Sequence, residues 1–352
     1  MPSIFTNLVK FIYFVELLLQ KIDKMFQKLD KTDKKILIAL NNNASASVSQ
    51  LANKLKISRE VCNYRISRLI RNKILSGFIT LINTRILGYE DSLVCMQVRG
   101  VGESEKNEIL TKLKKHPLIK WVINSTGNWD IITSCGSKDK IELAQIIESV
   151  KSLLENNLIS LEILPSISLY KDETFDFIIG QEEVGGLLKR YSSAPNPAFR
   201  ISKNDLKILK SIALSARKPV TRIAQETGLA FDTINKRIKL MMKNNVIRKK
   251  QGIINVSNLG YWTYWLILRI QNFDAKLENT VKEFVKREPH IIFADRLLGP
   301  WDVRIEICAR NPAHFNEVFN RVKEQFKENL ADYRMSIILE ELKRTSLPEG
   351  FC

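Results

Sequence analysis

Two short segments of this sequence carry cations at helical spacing beside amide side chains. In the first, Ser58 and Arg59 are followed by Asn63, Arg65, Arg68 and Arg71; in the second, Asn235, Lys236, Arg237, Lys239 and Lys243 cluster within nine residues. On a helix, residues three and four apart share a face, so each segment raises a ridge of guanidinium and ammonium groups. Such a ridge suits one partner above others. Lys and Arg neutralise phosphates, and Asn can pair bidentately with adenine. Residues 59–72 and 231–243 are therefore expected to enter two major-groove segments of double-stranded DNA. Arg65, Arg68, Lys236, Arg237 and Lys239 would lie on phosphates or base edges, and Asn63 and Asn235 would read adenine. Reversing Arg65 and Arg237 to Glu should then abolish binding while the fold survives.

The charge distribution agrees. The chain of 352 residues has a net charge of +17. Residues 30–75 hold 10 Lys and Arg against 3 Asp and Glu, and residues 201–250 hold 13 against 3, so these two stretches contain the whole excess. A generally basic protein would spread its charge; concentration at two sites is what phosphate contact requires.

Enzyme chemistry finds little to work with. Gly100-Val101-Gly102 has no third glycine and no P-loop is present. His116, His290 and His314 match no metal or nucleophile pattern; His116 and His290 sit near helix ends, where a cation meets the negative end of the dipole. Cys62, Cys95, Cys135, Cys308 and Cys352 are scattered and odd in number, which suits a reduced interior where cysteine is a small hydrophobe. No metal and no cofactor are expected.

The elements that position the basic ridges repeat. At a constant offset of 172, Asp33, Ile36 and Leu37 match Asp205, Ile208 and Leu209; Asn63, Arg65 and Ile66 match Asn235, Arg237 and Ile238; Leu87-Gly88-Tyr89 matches Leu259-Gly260-Tyr261; and Gly127-x-Trp129-Asp130 matches Gly299-x-Trp301-Asp302. Self-similarity of this kind marks an internal duplication. In copy one, apolar periodicity predicts helices over 33–42, 48–55 and 59–72, the last with Ser58 as N-cap. A short hairpin around Ser76-Gly77 is expected over 74–83 as a wing. Copy two repeats the helices near 204–214, 220–227 and 231–243. A short helix, a tight turn and a basic third helix match a helix-turn-helix. Beyond it, strands at 92–99, 119–126, 129–135 and 158–170 with helices at 104–116 and 139–156 give βαββαβ, the ferredoxin-like order. Copy two gives the same order between 261 and 342. The fold class is thus α+β, in two tandem units of a winged helix-turn-helix and a ferredoxin-like domain. The expected boundaries are 29–84 and 201–257 for the helix-turn-helix units, 85–171 and 258–345 for the ferredoxin-like ones, and 172–200 for a linker whose apolar stretch 175–179 packs on a neighbour. Residues 1–28 read either as an amphipathic helix or as sequence preceding a true start at Met25; the apolar run 11–19 is too short to span a bilayer.

Helix-turn-helix followed by a ferredoxin-like domain, joined through Leu-Gly-Tyr, resembles the Lrp/AsnC (feast/famine) family in tandem duplicated form. The carrying stretches are Leu29-Asp30-x-x-Asp33-x-x-Ile36-Leu37, Arg65-Ile66-x-Arg68-Leu69, Ile74-x-x-Gly77-Phe78 and Thr126-Gly127-Asn128-Trp129-Asp130-Ile131, with Trp129 for the commoner Tyr. The resemblance covers 29–170 well and 203–342 less well, since Leu29-Asp30 and Gly77 have no equivalents in copy two. It implies a transcription regulator in the cytoplasm, away from membranes, whose effector domains pair and bind a small molecule, often an amino acid. Here they would pair within one chain as a pseudo-dimer, with association of whole chains left open. By the same likeness Gly127, Trp129 and Asp130, with Gly299, Trp301 and Asp302, would line the effector pocket. The competing reading makes these β-turns structural, with Gly at positive φ and Asp capping backbone amides; Leu298-Gly299-Pro300 could deprive copy two of ligand. Two alternatives stand beside the regulator. Sirohaem decarboxylases are similar in architecture and work as paired subunits, but a tetrapyrrole would want His and Arg converging on the effector-domain cavity, whereas the basic surplus sits on the helix-turn-helix. An assembly module with degenerate helix-turn-helix units would bind DNA no better than any basic protein.

Overall fold

The computed structural model describes residues 29–99, 102–179 and 199–351. The first-residue expectations, most of the linker and Cys352 lie outside the described residues. Copy one begins with helices α1 (Lys31–Asn42), α2 (Val48–Leu55) and α3 (Arg59–Arg71), and copy two with α6 (Lys203–Ile212), α7 (Val220–Thr227) and α8 (Phe231–Lys243). Local chemistry starts most of them. Asp30, Ser47, Ser58 and Ser202 each accept a backbone N–H of the first turn, and Ser47–Gln50 and Ser202–Asp205 close reciprocal capping boxes.

The wing is not the expected hairpin. Residues 75–82 form one strand, β1 (Leu75–Ile82), whose antiparallel partner is β6 (Ile247–Ile254) of the other copy. Each three-helix head then packs on the strand of the opposite copy. Ala44 N–H donates to the Lys250 carbonyl and the Asn41 amide to that of Gly252, while Ala216 N–H donates to Phe78 O and Thr80 N–H to Ala213 O. The core of head one accordingly holds Ile254 and Val256, and that of head two holds Ile82 and Tyr89.

The rest of each copy is the anticipated βαββαβ. Copy one contributes β2 (Glu90–Val98), α4 (Glu103–Lys115), β3 (Ile119–Gly127), β4 (Ile131–Ser137), α5 (Lys140–Leu154) and β5 (Leu158–Lys171). Copy two contributes β7 (Trp262–Ile270), α9 (Ala275–Arg287), β8 (Ile291–Leu297), β9 (Val303–Ala309), α10 (Pro312–Phe326) and β10 (Leu330–Arg344). The two four-stranded sheets join into a closed barrel in the order β10-β3-β4-β2-β5-β8-β9-β7. Its seams are β3 with β10 and β5 with β8, both antiparallel and both between copies. Closure removes the free edges that two separate sheets would expose. Helices cover the outside, burying Val94, Leu110, Val122 and Val150 in copy one and Leu266, Val281, Ile305 and Val322 in copy two.

Chain segments after each last strand cross over too. Phe175 and Ile178 enter the core of head one, as expected for 175–179, and Phe177 packs on Tyr261 of copy two. Leu347 and Phe351 enter the core of head two, and Phe351 stacks on Tyr89 of copy one.

The two equivalent turns differ in tolerance. Gly127 has φ +117° and a Cβ there would lie 2.7 Å from Met335 O across the seam, whereas Gly299 has φ +122° with open space around it. Gly127→Ala is expected to cost about 2–4 kcal/mol, strain and clash together, and Gly299→Ala about 1–2 kcal/mol from backbone strain alone. Denaturant midpoints of the two variants check the order; equal losses would contradict it.

Candidate nucleic-acid interface and barrel interior

In each head the third helix is held down by a buried carboxylate on the first. Asp33, 1% exposed, accepts from Arg65 at 2.9 Å and also from Arg68, and Arg65 reaches Asp30 at 2.6 Å. Asp205, 0% exposed, accepts two hydrogen bonds from the Arg237 guanidinium, the Nε one at 2.7 Å, and one from the Ser202 hydroxyl. Burial alone would push the Asp205 carboxyl up; the bonds from Arg237 and Ser202 outweigh it and hold it below the usual range. Arg65 and Arg237 thus serve the fold of the head. A Glu at either position would face a buried carboxylate, so that reversal tests folding rather than DNA contact. The expectation that the fold survives it is corrected on that ground.

Most of the remaining residues of the ridge are exposed. On α3, Arg59, Asn63, Ser67 and Arg71 are exposed, with Tyr64 and Glu60 beside them, while Arg68 is half-buried. On α8, Phe231, Lys236, Lys239 and Lys243 are exposed and Asn235 is half-buried. Lys236, Lys239 and Lys243 enter no ion pair among the described residues. Ser58 is spent as a cap, its hydroxyl accepting Val61 N–H at 3.2 Å, whereas α8 begins at Ala230 without a side-chain cap. The charge tally of the sequence also overstates the free cations, since Lys249 is buried in β6 and Arg217 lies over the Phe78 ring.

Inside the barrel the two copies differ. At the end nearest the heads, Arg304 donates to Asp295 through Nε at 2.8 Å and a terminal nitrogen at 2.9 Å, and its guanidinium lies 4.5 Å from the Phe293 ring centre between Trp121 and Trp265. Glu306 is 4.0 Å from Arg304, and burial pushes its carboxyl up to about 7 against the pull of that arginine. Glu173 accepts from Arg344 at 2.7 and 3.0 Å and from Gln251 of β6 at 2.7 Å. Glu341 accepts from Trp121 at 2.7 Å, and burial raises its carboxyl also. Its side chain keeps 29% exposure and that of Arg344 21%, so water reaches this mouth of the barrel. The counterparts of Asp295, Arg304 and Glu306 in copy one are Ile123, Ile132 and Ser134. The sequence reading missed this ionic cluster; the failed match at a constant offset was the signal.

At the far end sit the two glycine-containing turns. Trp129 and Trp301 are buried, Trp129 edge-on to Trp265 at 5.6 Å, and Arg334 lies over both turn tryptophans while pairing with Glu162. Asp130 accepts Val98 N–H at 3.0 Å and Asp302 accepts Ile270 N–H at 2.7 Å. Trp129, Trp301, Asp130 and Asp302 are thus held within the barrel wall, and Gly127 and Gly299 take positive φ in the turns.

The histidines face elsewhere. His116 bonds Ser149, and His290 meets His314 and Phe177 beneath the crossing segment of copy one. Burial pushes both His116 and His290 down from the ordinary imidazole value. Cys62, Cys95, Cys135 and Cys308 are buried free thiols, and burial pushes Cys135 up to about 12. Among the described residues no helix is long and apolar enough to cross a membrane and no cluster of His, Cys, Asp and Glu could hold a metal ion.

Comparison with known proteins agrees with this architecture. A winged helix-turn-helix DNA-binding model matches residues 29–75 and again 201–248, and a model of the Lrp/AsnC ligand binding domain matches 267–348. The HTH-type transcriptional regulator Ptr1 of Methanocaldococcus jannaschii is 32% identical over 130 residues, 37% of this chain and 86% of that protein. LrpA of Pyrococcus horikoshii is 30% identical over 121 residues, covering 34% and 84%, and the transcriptional regulator AzlB of Bacillus subtilis 29% over 133, covering 38% and 83%. Each relative has the length of about one copy. The crystal structure of the siroheme decarboxylase NirDL matches with a TM-score of 0.57 at 12% identity, covering 90% of this chain and 93% of that one; this is a likeness of the whole doubled fold. The two DNA-binding heads, the ligand-binding domain and the relatives named as transcriptional regulators place the chain among DNA-binding transcription regulators. The chain belongs to the Lrp/AsnC family, with two family units in one polypeptide.

Proposed function

We propose that the chain binds double-stranded DNA in a sequence-specific manner through the outward faces of α3 and α8, with a small ligand of the effector barrel adjusting the two heads. The carrying observation is a division of labour: Arg65 and Arg237 are spent on buried carboxylates, while Lys236, Lys239 and Lys243 stand exposed with no ion pair among the described residues. Arg59, Asn63 and Arg71 are the corresponding contacts of head one, and Arg68, already bonded to Asp33, reaches DNA only from the edge; Asn235 lies on the same face of head two. Binding of a duplex should weaken by about one power of salt per phosphate neutralised. Lys236→Ala combined with Lys239→Ala is expected to reduce that salt slope by about two while circular dichroism stays unchanged. An unchanged slope and affinity would overturn the assignment of α8.

The ligand is proposed to be an amino acid, from the family likeness. A contact route from barrel to heads supports its effect: Arg344 on β10 holds Glu173, Glu173 holds Gln251 on β6, and neighbouring Lys249 donates to the Glu173 carbonyl and approaches Asn41 of α1. Gly127, Trp129, Asp130, Gly299, Trp301 and Asp302 would then meet the ligand only as wall. Titration with the common amino acids, followed by tryptophan fluorescence and DNA affinity, tests this. A response altered in Trp129→Phe or Trp301→Phe supports it, and no response to any amino acid would remove the effector part.

A further inference from the structure

The duplication is free of gaps across the heads, so every position on α3 has an equivalent on α8. The scaffold is retained: Asp33 with Arg65 corresponds to Asp205 with Arg237, and Ile66 to Ile238. The outward stripe has changed. Along it run Arg59, Asn63, Ser67 and Arg71 on α3, against Phe231, Asn235, Lys239 and Lys243 on α8. Beside it Tyr64, 58% exposed, stands where α8 has Lys236. Only the asparagines coincide.

The two faces differ in what they can recognise. Arg59 presents a planar fork that can grip guanine bidentately, and Asn63, Tyr64 and Ser67 carry directional hydrogen-bonding groups. Face two keeps the asparagine, as half-buried Asn235, but puts Phe231, Lys236 and Lys239 in place of Arg59, Tyr64 and Ser67 and Lys243 in place of Arg71. These lysines are compact charges on flexible stems that suit phosphate rather than one base edge. At the start of its helix, where base contacts concentrate, it offers the exposed ring of Phe231, able to touch a thymine methyl and little else. A symmetric homodimer places identical faces on two half-sites and so reads an inverted repeat. This chain carries no such identity.

We infer that the chain reads a non-palindromic DNA site, in which head one specifies its half by base contacts and head two anchors the other half mainly through phosphates. The inference rests on the DNA-binding reading above and adds the form of the site.

Selection of bound duplexes from a random pool by the full chain tests it. The expected motif has strong base preference on one side only. In single-base substitutions of the selected site, changes in the strong half should weaken binding about tenfold or more each, and changes one helical turn away less than about threefold. A second protein carries Phe231→Arg, Lys236→Tyr, Lys239→Ser and Lys243→Arg, all exposed positions, so that face two copies face one. It is expected to select an inverted repeat. A palindromic motif from the parent chain, with equal preference in both halves, would overturn the inference and leave the regulator reading intact. Absence of any enriched motif, with affinity no better for one duplex than another, would overturn both.

Discussion

Asp205→Ala is expected to lower the stability of head two by about 3–5 kcal/mol, and Asp33→Ala to cost head one less, because Arg65 keeps Asp30 at 2.6 Å. The carboxylates are fully buried and accept the guanidinium groups that fasten the third helix to the first. Removing Asp205 strands Arg237, whose side chain is only 27% exposed, without a carboxylate. The effect is steep because two neutral replacements could pack well, whereas half a pair cannot. For Asp205 the pH sense follows from its lowered carboxyl: the stabilisation is complete above the ordinary value of 3.8 and is lost as pH falls through the folded value. Denaturation of the parent and of Asp205→Asn should therefore converge on acidification below about pH 4. An Asp205→Ala chain as stable as the parent would remove the anchoring role.

Glu306→Gln is expected to act in the opposite direction. The Glu306 carboxyl is raised from 4.5 to about 7, so the native state keeps a proton that the unfolded chain has released. Stability of the parent should then fall as pH rises from about 4.5 to about 7 and level off above. The isosteric amide removes that dependence. It should match the parent near pH 4.5 and exceed it at pH 8 by an amount on the order of 3 kcal/mol. Thermal midpoints over that range check it; parallel curves for the two proteins would show that Glu306 is ionised throughout.

Much of this molecule is legible from its residues because the signals are local and come twice. Helix periodicity, Ser caps and the Leu-Gly-Tyr and Gly-x-Trp-Asp landmarks placed the helices of both heads and the βαββαβ order, and the bounds of α2, α7 and α8 coincide with those expected. What failed was long-range. Nothing near Ser76-Gly77 announces that β1 pairs with a strand some 170 residues away, so a hairpin was the natural expectation. Arg65 and Arg237 sit in the basic ridge by spacing, yet a helix rotates such positions between solvent and the neighbouring helix, and the buried Asp of α1 and α6 decides which. The alternation Arg304-Ile305-Glu306 on β9 looks like an ordinary solvent-facing pattern. Only closure of the barrel turns its polar side inward.

That closure carries an implication for how such a chain can change over time. An isologous dimer must fit itself, so any charge introduced beside its axis arrives in duplicate. Two sets of the buried Asp295, Arg304 and Glu306 in one lumen would bring like ions together where each is largely withdrawn from solvent. Joining two gene copies end to end lifts that rule. One half may keep Ile123, Ile132 and Ser134 as packing while the other experiments with ionised groups, and each polar novelty is installed once, against a wall that need not mirror it.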